Sequence, residues 1–191
     1  MLQKLDDLIL TMHEKVVDLA IKTVGADKYS CATQANIAGT LGLLSFGGTL
    51  LESGIRNSSP FLISMACVIG PISIISYKKG LRDIKPQKKI DENNALKGTR
   101  QIPQYNTTRP FFWSLGTYAI LSSPFSETIP TLLIAGSLGL YLSGNESRKY
   151  FLNVETPSGT TDSLLDKLKA GISNIGSEPV RVSALKYETK E

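Results

Sequence analysis

Few residues in this chain of 191 have the chemistry for catalysis or ligation, and those few are scattered. The single histidine, His13, stands between Met12 and Glu14, and the two cysteines are Cys31 and Cys67. A zinc site takes three or four His, Cys or carboxylate ligands, and no second His or nearby Cys accompanies His13. Ser–His or Cys–His nucleophilic catalysis would have His13 as its base, at a position that reads as solvated or interfacial and remote from a nucleophile. Both cysteines lie in uncharged stretches and read as small buried hydrophobes rather than a disulfide framework. Neither a G-x-x-x-x-G-K-[ST] phosphate loop nor a dinucleotide fingerprint occurs. The expectation is a protein that is not an enzyme and holds no cofactor or metal.

Three other groupings stand out. Glu52 and Glu127 occupy matching positions between apolar stretches, and Arg56, four residues after Glu52, is placed to pair with it on a helix. Their reading is plain solvation at two exposed tips. Ala35 and Gly39, Ala38 and Gly42, Ala66 and Gly70, and Ala135 and Gly139 are small residues four apart, a spacing that lets helix backbones approach in lipid. Gly39, Gly42, Gly70 and Gly139 are therefore candidate helix-packing positions, within the chain's own hairpins or against another chain. Finally, Lys78, Lys79, Arg82, Lys85, Lys88 and Lys89 crowd one segment and are candidates for contact with anionic lipid headgroups. Nucleic acid is not expected as a partner, because Tyr105 is the sole aromatic residue in that segment.

The elements that hold these residues follow from charge placement. The net charge is only +4, and 20% of residues are charged. Yet no Asp, Glu, Lys or Arg occurs from Tyr29 to Leu51, Asn57 to Tyr77, Pro110 to Ser126 or Thr128 to Asn145. Helices of soluble folds keep a charged face, whereas about 20 apolar helical residues cross a bilayer core about 30 Å thick. The windows lack the alternation of membrane strands. The expected fold is an all-α membrane protein with two antiparallel transmembrane hairpins, four spans in all. Residues 1–28 form an amphipathic helix ending near Gly25, 29–77 the first hairpin, 78–109 a basic loop, 110–144 the second hairpin and 145–191 a soluble tail. That tail contains a short amphipathic helix from about Thr161 to Gly176. Pro60 and Pro130 open the returning helices.

The two blocks also read as a degenerate repeat. Thr40-Leu41-Gly42 matches Ser114-Leu115-Gly116, Glu52-Ser53 matches Glu127-Thr128, and Pro60-Phe61-Leu62-Ile63 matches Pro130-Thr131-Leu132-Leu133. Lys and Arg concentrate in the amino-terminal region, the central segment and the start of the tail, which places both termini inside, on the cytoplasmic face, and both tips outside. Two hydrophobic hairpins, a hydrophilic connection and a following amphipathic helix resemble the layout of the reticulon homology domain, though no residue motif is shared. That resemblance implies a membrane-shaping wedge. The reading carried forward is a non-enzymatic multi-pass component of a membrane complex, partnered by the bilayer and by other membrane proteins as a homo- or hetero-oligomer. The wedge and a small oligomeric pore are the alternatives.

Overall fold

The computed structural model describes residues 2–97 and 108–154, and every described element is helical. The short helix expected in the tail lies outside the described residues, as do residues 98–107. Helix α1 spans Leu2–Val24 and stops at Gly25, whose φ of 68° is the left-handed conformation that glycine adopts without a Cβ clash. Helix α2, Lys28–Arg56, is capped by Asp27, whose carboxylate accepts from the Ser30 N–H at 2.8 Å. At the first tip Ser58 takes a φ of 48°, and the Ser59 N–H closes back on the Gly54 carbonyl at 2.8 Å. Helix α3, Pro60–Lys97, then returns. Helix α4, Thr108–Ser122, runs into a 3-10 turn at Ser123–Phe125, and α5, Ile129–Asn153, returns from the second tip.

Two boundaries differ from the sequence reading. The segment read as a basic loop from residue 78 continues α3 without interruption to Lys97, through both Pro71 and Pro86. The fourth apolar segment continues as helix to Asn153, past the expected end at 144. In both cases charged residues that read as a change of element are one helix becoming polar as it leaves its apolar neighbours. Glu146 and Arg148 are buried in that extension.

The helices form an open row in the order α3, α2, α5, α4, each antiparallel to its neighbour. Among the described residues α3 and α4 do not meet, nor do α2 and α4. Glycines set the close approaches. A Cβ on Gly42 of α2 would lie 2.7 Å from the Ser137 carbonyl oxygen and the Tyr141 nitrogen of α5, and one on Gly144 would lie 2.6 Å from the Gly39 nitrogen. On the other side of α5, a Cβ on Gly139 would lie 2.7 Å from the Gly116 oxygen. The repeat-matched Gly42 and Gly116 thus clasp α5 from opposite sides. Between α2 and α3 the approach is made at Gly47 and Gly54, against Ile69 and Ile63. Of the four candidate packing glycines, Gly39 and Gly42 join the two hairpins, Gly139 joins α4 to α5, and Gly70 has nothing within 4 Å of its would-be Cβ.

Burial is inverted relative to a water-soluble bundle. Among the described residues, ten polar or charged residues are buried, as many as the apolar ones, while 27 large hydrophobics are exposed. One described helix, α3 over Pro60–Asn93, is long and apolar enough to cross a membrane. Helix α4, at 15 residues, is shorter than the roughly 20 that a full span takes. Helices α2 and α5 are long enough, but the Gly, Ser and Thr residues that let them pack in the middle of the row dilute their apolar character.

Candidate interface site at the polar end of the row

The starts of α2 and α4 and the ends of the apolar parts of α3 and α5 meet at one end of the row, and α1 lies across it. Asp6 meets Arg109 at the start of α4 and Tyr150 near the end of α5. Val17, about 17 Å further along α1, lies in one buried cluster with Cys31 and Ala32 of α2, Ile84 of α3, and Phe151 and Val154. Helix α1 meets α4, α5 and α2 in turn along its length, so it crosses the row rather than running along it.

The crossing is held by a buried ionic lock. Arg109 Nε and Nη2 donate to the two oxygens of Asp6 at 3.0 and 2.5 Å, a bidentate pair with both side chains at most 5% exposed. The Tyr150 hydroxyl donates to Asp6 Oδ1 at 2.6 Å, and the guanidinium lies 4.4 Å over the Tyr150 ring. His13 stacks on the other side of this cluster, 4.9 Å from Tyr150, with Phe151 and Trp113 edge-on to it. Its Nδ1 donates to the Ile9 carbonyl at 2.8 Å. Burial pushes its pKa below the usual histidine value; the Ile9 hydrogen bond opposes this, and the Arg109 charge adds to it. Tyr150 is pushed upward, first by burial and then by its bond to the Asp6 carboxylate. The Trp113 indole N–H donates to Ser147 Oγ at 3.1 Å, tying α4 to α5 beside the lock.

Further polar contacts sit at the same end. Lys28, buried, binds Asp91 at 2.7 Å and donates to the Val154 carbonyl at 3.0 Å, while Tyr29 and Gln87 donate to the same Asp91 carboxylate at 2.8 Å. Burial raises the Asp91 pKa, but these donors outweigh it and the net shift is downward. Arg148 reaches across α2 to Asp83 of α3 at 3.2 Å, and the Asn36 side-chain amide donates to the Tyr77 carbonyl at 3.1 Å. Gly80 leaves the room that Asn36 and Arg148 occupy.

The singled-out residues fall as follows. His13 is buried, not solvated, because α1 docks on α4 and α5 and three aromatic rings close around it. Cys31 is buried, whereas Cys67 is exposed on α3, which has only α2 beside it for most of its length. Glu52 and Arg56 pair at 2.7 Å at the exposed tip. Lys78, Lys79, Arg82, Lys85, Lys88 and Lys89 are exposed on α3, with Lys88 4.0 Å from Asp27. The lock itself, Asp6, Arg109 and Tyr150, was not legible in the sequence; the sole signal was that Asp6 falls next to the apolar stripe of α1 rather than on its charged side. Among the described residues no three His, Cys, Asp or Glu side chains are grouped to hold a metal. Compared with known protein families, curated proteins and solved structures, the chain matches none.

Proposed function

We propose that this protein is a non-enzymatic, multi-pass integral membrane protein that acts as an assembly or partner-binding component of a membrane complex. In this reading both hairpins span the bilayer, the tips lie outside, and the termini and polar end lie on the cytoplasmic face. The observation that carries it is the open row: α3 and α4 never close on each other, so both edges keep large apolar side chains unpartnered. A single row of helices encloses no path through one chain, which weighs against a pore made by a monomer. Exposed apolar area on this scale fits lipid and the helices of other membrane proteins. Photo-crosslinkers at Phe61 and Ile72 on α3 and at Tyr118 on α4 test the proposal in native membranes. Stoichiometric adducts to defined polypeptides are the expected result. Adducts to lipid alone, with tubulation of vesicles by the purified protein, would replace it with the membrane-shaping wedge. The wedge is favoured by one feature: α4, at 15 residues, is about 22 Å long and falls short of a full hydrocarbon core.

A further inference from the structure

Two faces at the polar end are left over after the chain's own packing. Helix α1 turns Asp6, Ile9, His13 and Val17 into the row. Leu8, Met12, Val16 and Leu19, one turn apart on a second strip, remain 48–62% exposed. Lys4, Lys15 and Lys22, also exposed, border that strip on its outer side. On α3, Lys78, Arg82, Lys85 and Lys89 follow the i, i+4, i+7, i+11 spacing of one helix face, and all four are exposed. Of the acids of the same stretch, Asp91 is drawn inward to Lys28, Asp83 pairs with Arg148 while half exposed, and Glu92 is exposed. Among the described residues no carboxylate lies within ion-pair distance of those four cations. Ile84, inside the basic stretch, belongs to the same buried cluster as Val17, which brings this level of α3 to the end of the row that α1 crosses.

Resting on the integral-membrane reading above, we infer that these two faces dock on one occupant, the headgroup layer of an anionic leaflet. The strip of α1 is seated at the acyl boundary while the stripe of α3 holds anionic headgroups beside it. The charge argument selects this occupant. Asp83 and Asp91 pair with Arg148 and Lys28, which leaves a row of cations directly continuous with the exposed apolar face of α3 at Ile74 and Ile75. An in-plane amphipathic helix buries its apolar face to about 5–10 Å, and α1 sits about 9 Å beyond Lys78, taking six residues of rise to Ile84.

Nitroxide labels at Met12, Lys15 and Ile75, in a background with Cys67 replaced and Cys31 left buried, test this in phosphatidylcholine vesicles with and without phosphatidylserine. The expected result is a Met12 label open to oxygen and shielded from a polar relaxation agent, a Lys15 label of the opposite character, and deeper seating of Met12 when phosphatidylserine is present. The variant K78Q/R82Q/K85Q/K89Q should lose preference for phosphatidylserine over phosphatidylcholine, by about fivefold for each cation close to the surface. A lipid-exposed Ile75 with a water-exposed Met12 overturns the inference and leaves the membrane reading standing. A Met12 label shielded from both reagents overturns it in favour of a protein occupant. An unchanged lipid preference in the quadruple variant overturns the headgroup assignment, and a water-exposed Ile75 overturns the membrane reading and this inference together.

Discussion

Asp6 is the residue on which the docking of α1 turns. Its two oxygens take three donors from Arg109 and Tyr150 in a setting nearly closed to water. Removing one partner of such a pair leaves an uncompensated buried charge, at a cost of about 3–5 kcal/mol. Arg109→Met should therefore release α1, read as fast amide exchange along Leu2–Val24 while α2 and α5 stay protected. The double variant D6N/R109M, which removes both charges, should recover much of that protection. His13 gives the same contact a pH dependence. Its folded pKa is lowered from 6.5 by burial, so released α1 takes up a proton that docked α1 refuses. Docking therefore weakens as pH falls below about 6.5 and is constant above it. Intrinsic-rate-corrected exchange of α1 should rise on acidification in the native protein and stay flat in His13→Gln.

At the scale of elements, packing is decided where a missing Cβ allows contact. Gly42→Leu must push α2 away from α5 backbone at 2.7 Å, whereas Gly70→Leu meets open space. Overpacking of this kind costs about 1–3 kcal/mol. The first substitution should lower the thermal midpoint in detergent and the second should leave it within error. The sequence carries much of this level plainly: uncharged windows, Pro60, Pro130 and Gly25 mark helices and their ends by local chemistry. It does not carry the polar half of α3. A run of Lys between apolar stretches has the composition of a loop, and Pro86 reinforces that reading. The structure keeps the helix because Leu81 and Ile84 continue its inner face and Asp83 and Asp91 find partners on α5 and α2. His13 was misread for the same reason, since the rings that bury it arrive from α4 and α5. Gly70 has no neighbour among the described residues of this chain, as a small-residue spacing names a face without saying what lies against it.

The whole molecule has the order of tandem hairpins: shifting the row by two positions carries α3 onto α5 and α2 onto α4. An open row has two broad sides and two edges, where a closed four-helix bundle would hide its apolar faces at the centre. Water is a poor solvent for such a shape, and the 27 exposed large hydrophobics state the cost directly. Alkaline carbonate washing should leave the protein in the membrane pellet, and detergent should be needed to release it. Recovery in the carbonate supernatant would mean that the row is covered by protein instead of lipid.

The lock at Asp6 also orders events during synthesis. Asp6 emerges from the ribosome 103 residues ahead of Arg109 and 144 ahead of Tyr150. Until those residues are made, the Asp6 carboxylate lacks both of its partners and α1 can meet only α2 and α3. Closure of the lock on Asp6 thus reports that α5 has arrived. A chain that stops before that point displays an unfastened amphipathic segment, with Asp6 and His13 open to water.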